Sequence, residues 1–419
     1  MSATTGEIRF NPFDPEFVAS PYEQYAILRD EDPVHWSDLL WGWVVTRHDD
    51  VATVLGEPTM SSDIARATPT PLTELELQGL AEHGRAARTI VHLDDPDHRQ
   101  IRRLMADPFR VREVDRLRDV IDRRVGVSAD RLAAGVATAG DHGRGRLDLV
   151  ADFSYPLPVE IFSGWLGIPD EDAPQFRTWT SWVARSRDPL PDDERQEFFE
   201  ALEAMWEHLE AQVVERRRRP ADDLLTHLVT ASIDGEGLSH EDLMAQLITL
   251  YMAGHEPTAG LVGNGVLALL RHPDQIEVLR HDRDLLRNAV SELLRYDGPN
   301  QFVRRITTRP IVLQGREIPA GAVLYVGLAS ANRDPRRWND ADRVVVDRPD
   351  ASEHLQFGAG AHSCLGAHLA RLQAERMIDA VLDRFEHLEL DGDPVWSNRM
   401  FIRGLQSLPL RVQVRATRP

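Results

Sequence analysis

The stretch "FGAGAHSCLG" (residues 357–366) surrounds Cys364, the only cysteine among the 419 residues of the chain. Its glycines at 358, 360 and 366 let the backbone adopt left-handed conformations and let a flat ligand approach closely. The next segment, "LGAHLARLQAERMIDAVLDRF" (365–385), has the apolar spacing of an amphipathic helix. Cys364 therefore lies at or near a helix N-terminus, where free N–H groups and the helix dipole stabilise an anion. We predict that this position lowers the pKa of the thiol and favours the thiolate.

Several roles are open to a lone cysteine. A buried packing residue is the commonest role, but it does not account for the glycines or for the helix start. A zinc cluster would need histidines to join the thiol, because the chain has no C-x-x-C spacing. A hydrolase would need a base, and His362, two residues away in a glycine loop, is not obviously placed to take the proton. An axial thiolate ligand of haem iron needs no other protein ligand.

Composition restricts the class of protein. Acidic residues exceed basic ones, 68 to 48, so the formal net charge is −20, which argues against a general nucleic-acid binder. A single cysteine excludes an intramolecular disulfide and fits a reducing compartment. The first residues lack the basic and apolar regions of a secretory signal, and no apolar run reaches eighteen residues. We expect a cytoplasmic protein without a membrane span.

Apolar spacings of three and four predict a mainly helical chain. Neither a repeat nor a Pro/Gly/Ser linker divides it, so one large domain over residues 1–419 with a minor β-sheet is the predicted fold. The predicted helices are 20–33, 97–109, 112–134, 193–219 and 239–273. The predicted strand segments are 34–46, 304–319 and 322–329, which are rich in β-branched and aromatic residues.

Segment 239–273 predicts a long central helix that begins at a capping box of Ser239 and Asp242. Its middle is apolar around most of its circumference and should be buried. That middle nevertheless contains "GHEPT" (254–258). A buried glutamate needs a partner or a purpose, and an interior proline removes a helix hydrogen bond and kinks the axis. Local rules that fail together in a core indicate a functional site.

The cysteine motif resembles the haem-binding signature F-G-x-G-x-H-x-C-x-G of the cytochrome P-450 monooxygenases, with every fixed position met. Other segments resemble the same family in the same order along nearly the whole chain. They are "DPDHRQIRRL" (95–104), "AGHEPT" (253–258), "SELLRY" (291–296), "ANRDPRRW" (331–338) and "VVDRPD" (345–350).

The resemblance implies a role for each matched residue. Cys364 would ligate the iron of haem b. The cofactor would also be bound by His98, Arg102, Arg305, His362, Phe357 and Gly358, with the two arginines and two histidines on its propionates. Glu292, Arg295 and Arg348 would form a buried structural cluster.

The oxygen-binding segment departs from the family pattern. Gly254, Glu256 and Thr258 are the implied catalytic residues, but Pro257 stands where the family usually has a threonine that helps to deliver protons. Thr258 lies about 100° further round the helix. Three explanations stay open: a kink re-aims Thr258, water or a substrate hydroxyl relays the proton, or the reaction is not simple hydroxylation.

The resemblance also implies partners. Electrons would come from a ferredoxin and its NAD(P)H-dependent reductase, which Arg103 and Arg371 could meet, and O2 would be a co-substrate. The substrate would be a medium-sized, largely apolar organic molecule. Candidate lining segments are 60–90, 176–187 with Trp179 and Trp182, 247–253, 298–303 with Asn300 and Gln301 as polar anchors, and Phe401 with Ile402. The alternative hypothesis is an atypical haem-thiolate protein: non-hydroxylating, peroxide-driven, or a non-catalytic binder or sensor.

Overall fold

The computed structural model describes residues 10–69, 89–139, 143–183, 185 and 191–415. Most of these residues are helical, as the apolar spacing predicts. The helices are Pro15–Ala19, Tyr22–Glu31, His48–Gly56, Asp97–Met105, Val111–Asp115, Arg118–Ala139, Pro156–Leu166, Ala173–Val183, Asp192–Arg218, Leu224–Thr230, His240–Leu270, Pro273–His281, Leu286–Asp297, Leu328–Ala331 and Ala367–Arg384.

The strands form small sheets beside the helices. The largest has five strands in the order Val34–Ser37, Gly42–Val45, Val323–Gly327, Phe302–Thr307 and Met60–Ser61. A second sheet places Pro409–Val414 between Phe385–Leu390 and Arg144–Asp148. Two-stranded ribbons join Ser232–Ile233 with Glu236–Gly237, Ile311–Leu313 with Arg316–Ile318, and Val395–Trp396 with Leu405–Ser407. The predicted fold class, mainly helical with a minor sheet, is confirmed.

The central helix, His240–Leu270, is one continuous helix through Pro257. It begins where the sequence predicts, because the Ser239 hydroxyl accepts a hydrogen bond from the Asp242 N–H over 3.0 Å. It packs against Pro156–Leu166, against Leu286–Asp297 and against Ala367–Arg384, which we call the cysteine helix. The residues near Cys364 are thereby held against the core of the protein.

Some predicted segments divide into shorter elements. Segment 34–46 is a hairpin of two strands, and 304–319 contributes to three strands rather than one. Segment 112–134 is broken into two helices, Val111–Asp115 and Arg118–Ala139. Periodicity identifies apolar faces but not the turns between them, so it merges elements that share one apolar pattern. Within the described part of the chain, no helix combines the length and apolar character that crossing a membrane requires.

Candidate active site

The loop before the cysteine helix has the backbone that its glycines predict. Gly358 and Gly360 have φ values of +66° and +69°, a region that side chains other than glycine rarely adopt. A Cβ atom on Gly360 would lie 2.7 Å from the carbonyl oxygen of Leu55. The Cys364 N–H donates to the Phe357 carbonyl over 2.8 Å, which closes the loop three residues before the cysteine helix begins. The loop is therefore a tight, glycine-dependent turn that holds Cys364 in one place.

The charge environment of Cys364 differs from the sequence prediction. Its side chain is accessible, yet protein surrounds it closely enough that desolvation raises the pKa of the thiol above its ordinary value. The N–H of Gly366 and the cations of Arg102 and Arg371 act in the opposite direction. The prediction of a net lowered pKa was therefore wrong, because desolvation outweighs the helix terminus.

Donor and cationic side chains converge beside this loop from three distant segments. The rings of His98 and His362 face each other with their centroids 4.1 Å apart. Nε2 of His98 is buried and has no hydrogen-bond partner among the described residues. Arg102 donates to the Ser363 hydroxyl at 3.4 Å, and the buried Arg305 donates to the carbonyl of Arg304. Neither arginine has a carboxylate at ion-pair distance within the described part of the chain.

Burial and mutual repulsion disfavour additional positive charge in this cluster. Desolvation, with repulsion from His98 and Arg305, lowers the pKa of His362 to about 3. Desolvation also lowers the pKa of Arg305 and of Arg102. Among the described residues, neither arginine has a carboxylate partner and one ring nitrogen of His98 has no partner, and the carboxylates of a ligand provide groups of the charge that the two arginines require. The cluster therefore fits a ligand with two carboxylate groups next to a thiol, as in haem b.

Phe357 has a neighbour that the sequence does not reveal. The Arg371 guanidinium lies over the Phe357 ring, 4.5 Å from its centroid, and Nη2 of Arg371 is 3.5 Å from Nε2 of His354. His354 is buried, and desolvation with repulsion from Arg371 lowers its pKa to about 3. Arg371 is therefore half-buried against the cysteine loop, beside an imidazole that burial keeps neutral.

The central helix presents its "GHEPT" residues in different directions. Thr258 is buried, and its hydroxyl donates to the Gly254 carbonyl over 3.2 Å. A Cβ atom on Gly254 would be 3.2 Å from the ring of Phe162, so this glycine allows close packing of two helices. Ala253 is exposed, and Met252, Gly254 and Pro257 are half-buried in a part of the helix whose other residues are buried. The accessible face thus carries Pro257, while the Thr258 hydroxyl bonds back to its own helix.

Glu256 and His255 each have defined partners. Glu256 is buried and forms an ion pair with Arg399, which lies in the loop before Phe401. Nε2 of His255 is 3.0 Å from the Tyr155 carbonyl, and Nδ1 is 3.1 Å from the Thr180 hydroxyl. Burial lowers the pKa of His255 to about 3. The sequence does not predict Arg399 or His255 as site residues, because their partners are distant in the chain.

The three implied structural residues lie together. Arg295 and Arg348 both donate to the buried carboxylate of Glu292. The helix that carries Glu292 and Arg295, Leu286–Asp297, contacts both the central helix and the cysteine helix. The cluster thus lies in the helical core that supports the site.

The residues that the resemblance places around the substrate differ in their surroundings. Asn300 bonds to Gln356 through its backbone N–H and its side chain, and the Gln301 side chain accepts from the Tyr25 hydroxyl. Trp179 packs against Phe176 and His208, which is a core position. The parts of the lining segments at 70–88, 184 and 186–187 lie outside the described residues. The polar side chains of Asn300 and Gln301 are thus already engaged within the protein.

A single accessible thiol in a glycine turn, beside cations and donors that match two carboxylates, defines a haem-thiolate protein. The chain belongs to the cytochrome P-450 family, whose family model matches residues 44–414. It is 39% identical to cytochrome P-450 monooxygenase PikC of Streptomyces venezuelae over 404 residues, covering 94% of this chain and 92% of that protein. It is 36% identical to vitamin D(3) 25-hydroxylase of Pseudonocardia autotrophica, covering 99% of both.

The fold agrees with this membership. The structure of PksS, a polyketide synthase cytochrome P-450 of Bacillus subtilis, superposes with a TM-score of 0.86 at 30% identity, covering 96% of this chain and 100% of that one. The predicted family, fold and enzyme class are confirmed: the protein is a monooxygenase, an oxidoreductase whose cofactor is haem b.

Proposed function

We propose that Cys364 ligates the haem iron as thiolate and that His98, Arg102, Arg305 and His362 hold the two propionates. The observation that carries this assignment is the buried, unpartnered Nε2 of His98 beside His362. Phe357 and Gly358, in the turn closed onto Cys364, would contact the haem when it is bound. Charge-assisted hydrogen bonds from two arginines make the propionates the strongest polar anchor of the cofactor.

When bound, the haem supplies O2 activation: one oxygen atom enters the substrate and the other leaves as water, with two electrons from NAD(P)H and two protons. The protein side chains supply the protons and exclude bulk water. We assign proton transfer to the carboxyl group of Glu256. Thr258 and Gly254 hold the helix geometry at this point through the hydroxyl-to-carbonyl bond between them. Because Pro257 has neither hydroxyl nor N–H, the proton path must include water or a substrate group.

The substrate in this proposal is a medium-sized, largely apolar organic molecule. Phe401 and residues 247–253 of the central helix are mostly apolar and lie in segments that line the family's pocket. The vitamin D(3) 25-hydroxylase among the relatives acts on a molecule of that class, as its name states. Vitamin D3 is therefore a first probe for an optical binding titration.

Electrons in this proposal come from an external ferredoxin and its NAD(P)H-dependent reductase. Arg103 is exposed on the helix that also carries Arg102, so its cation is available to an acidic partner. Arg371 stacks on Phe357 instead, so we assign the surface contact to Arg103.

The absorption spectrum of the reduced protein with carbon monoxide tests the haem-thiolate assignment. The wild-type protein is expected to show the thiolate-type shift of the Soret band, and Cys364→Ala is expected to lose it. Cys364→His is expected to retain haem with an imidazole-type spectrum. An unchanged spectrum in Cys364→Ala would refute the assignment.

Pro257 motivates the second candidate, an atypical haem-thiolate protein. Oxidation of a bound probe with hydrogen peroxide alone, and none with O2 plus ferredoxin, reductase and NADPH, would favour a peroxide-driven enzyme. A tight optical titration with no product under either condition would favour a binder or sensor.

A further inference from the structure

Arg403 lies in a buried junction between elements from the start, the middle and the end of the chain. Its side chain is 5% exposed, and its Nε is 2.9 Å from the carboxylate of Asp297, which ends its own helix. Its two terminal nitrogens donate to the carbonyl groups of Val18 and Ala19, the last residues of the helix Pro15–Ala19. Carbonyl groups at a helix C-terminus have no partner within the helix. One guanidinium therefore satisfies these carbonyl groups and a buried carboxylate together.

The backbone of Arg403 joins two segments that carry candidate substrate-lining residues. We call residues 298–303 the wall turn and residues 397–404 the wall loop. The Arg403 N–H donates to the Pro299 carbonyl over 2.7 Å. A Cβ atom on Gly260 of the central helix would lie 3.1 Å from the Arg403 carbonyl, so the central helix packs closely against the same point. The wall turn, the wall loop and the central helix therefore meet at Arg403.

Two tyrosines near the start of the chain bind to the same assembly. The Tyr22 hydroxyl donates to the Asp297 carboxylate over 2.6 Å, and the Tyr25 hydroxyl donates to the Gln301 side chain over 2.9 Å. Gln301 belongs to the wall turn, and its N–H donates to the Phe401 carbonyl in the wall loop over 2.9 Å. These tyrosine hydroxyls thus hold residues that lie 275 and 276 positions later in the chain.

The side chains of the junction are held by more than one contact each. The Arg403 guanidinium lies over the Trp396 ring, 3.5 Å from its centroid, and the Arg333 guanidinium lies over the Tyr22 ring at 3.7 Å. Asp297 is 6% exposed and accepts from both Arg403 and Tyr22. Buried charges are tolerated when they are paired and hydrogen-bonded in this way. Removing one partner therefore leaves the others without their full set of bonds.

We propose that Arg403 is a positioning residue for the substrate site: it fixes the wall loop against the wall turn and ties both to the first helices of the chain. The inference rests on the proposed function, which places Phe401 and the wall turn around an apolar substrate. The shape of the substrate site therefore depends on contacts made by residues 18–25, which lie outside every candidate lining segment. A wall fixed in advance does not have to be ordered when a large ligand binds.

Azoles of increasing size, which bind the haem iron, test this role without knowledge of the natural substrate. Imidazole, phenylimidazole and clotrimazole are titrated optically into the haem-loaded wild type, Arg403→Lys and Tyr22→Phe. Arg403→Lys keeps the positive charge but lacks the planar fork that serves a carboxylate and two carbonyl groups at once. It is expected to weaken binding of the largest azole that the wild type binds by about three- to tenfold, because the wall must then be ordered on binding. Imidazole, which is too small to need the wall, is expected to bind as in the wild type.

Hydrogen–deuterium exchange of the haem-loaded, azole-free proteins measures the wall directly. The N–H groups of Gln301 and Arg403 are hydrogen-bonded between the two wall segments. Arg403→Lys and Tyr22→Phe are each expected to raise exchange of the peptides that contain these groups about tenfold, because loss of a bond to a buried charge favours local opening. The helix Asp97–Met105 is expected to exchange as in the wild type. Tyr22→Phe keeps the aromatic ring, so it tests the junction even if Arg403→Lys unfolds.

Two variants are matched controls. Arg216→Lys changes a guanidinium that is also paired with an aspartate, Asp223 at 2.5 Å, and that also donates to a main-chain carbonyl, at 2.7 Å. Tyr296→Phe changes a ring that also stacks with Arg333, at 3.6 Å, and whose hydroxyl has no carboxylate partner in the described part of the chain. Both controls are expected to keep wild-type azole affinities and wild-type exchange in the two wall segments.

Unchanged exchange in both wall segments of Tyr22→Phe and Arg403→Lys would overturn the inference. Raised exchange with an unchanged ratio of large-azole to imidazole affinity would also overturn it, because the wall would then not contact the ligand. Equal weakening of all azoles, or the same changes in the controls, would show a general structural effect and would overturn it as well. A wild-type protein that lacks the thiolate-type spectrum, or binds no azole larger than imidazole, would instead refute the proposed function, so the two failures are distinguishable.

Discussion

Glu292 and Arg295 lie one helical turn apart with both side chains fully buried, and Nε and Nη2 of the arginine donate to the two carboxylate oxygens over 2.7 and 2.8 Å. Arg348 donates to the same carboxylate at 3.0 Å, and the Val345 N–H donates at 2.9 Å. The remaining Arg295 donors reach the carbonyl groups of Asn332, Ala341 and Arg343. Every partner is hydrogen-bonded, which is the condition under which buried charges are tolerated.

Glu292→Gln is expected to lower the free energy of unfolding by about 3–5 kcal/mol, because two buried guanidinium groups lose their counter-charge. Glu277→Gln is the matched control, since Glu277 pairs with Arg280 at the same spacing but is 71% exposed. The control is expected to cost less than about 1 kcal/mol. Urea unfolding of the haem-loaded proteins measures both. Equal losses of unfolding free energy in the two variants would show that burial of the Glu292–Arg295 pair adds nothing to stability.

Arg102→Ala and Arg305→Ala are each expected to reduce haem retention, because a propionate loses a charge-assisted partner worth about 1–3 kcal/mol. The ratio of Soret to protein absorbance after dilution and gel filtration measures the retained haem. Arg103→Ala, on the same helix and exposed, is expected to retain haem like the wild type. Full occupancy at wild-type thermal stability in the double variant of Arg102 and Arg305 would contradict the propionate assignment.

Thr258→Ala is expected to leave product formed per NADPH close to the wild-type value, because the Thr258 hydroxyl is bonded to Gly254 rather than re-aimed. Thr138→Ala is a control for loss of a similar bond, since the exposed Thr138 hydroxyl donates to the Ala134 carbonyl one turn away in a helix outside the site. A clear increase in peroxide for Thr258→Ala alone would show that its hydroxyl does take part in proton delivery.

Pro257→Thr restores both the hydroxyl and the helix N–H at the position where the family usually has threonine. It is expected to improve coupling with a probe such as vitamin D3 if the proline is a defect or a specialisation away from hydroxylation. Loss of native product with improved hydroxylation of the probe would favour an atypical reaction. Glu256→Gln is expected to slow NADPH oxidation in either case. If none of the variants at 256, 257 and 258 changes rate or coupling, the segment has no role in proton delivery.

His255 makes stability depend on pH. The unfolded chain binds a proton at the ordinary pKa of 6.5, whereas the buried imidazole does not until about pH 3. The unfolded state therefore binds more protons between these values, and stability falls as the pH drops below 6.5. His255→Gln is expected to remove up to about 1.4 kcal/mol of this loss per pH unit. Urea unfolding at pH 7, 6 and 5 measures the difference, and identical slopes for both proteins would contradict it.

The sequence predicts those parts of the site that are formed by residues adjacent in the chain. The glycine turn, Cys364 and the start of the cysteine helix occur within a dozen residues, and backbone preferences act at that range. The Ser239 cap and the length of the central helix are likewise properties of contiguous residues. Long, strongly periodic segments are therefore predicted well, whereas the breaks within 34–46 and 112–134 are not.

The tertiary structure decided which distant residues meet. The sheet of Arg144–Asp148, Phe385–Leu390 and Pro409–Val414 brings together segments that carry no shared local signal. Arg399 reaches Glu256, and His98 faces His362, only because helices and loops pack in one arrangement. Packing also reversed the predicted direction of the Cys364 pKa shift, since desolvation depends on every neighbour in space. Sequence alone thus determined that Cys364 lies in a glycine turn before a helix of a mainly helical protein. The fold determined the charges around that cysteine, because Coulombic and desolvation energies follow distance in space rather than position in the chain.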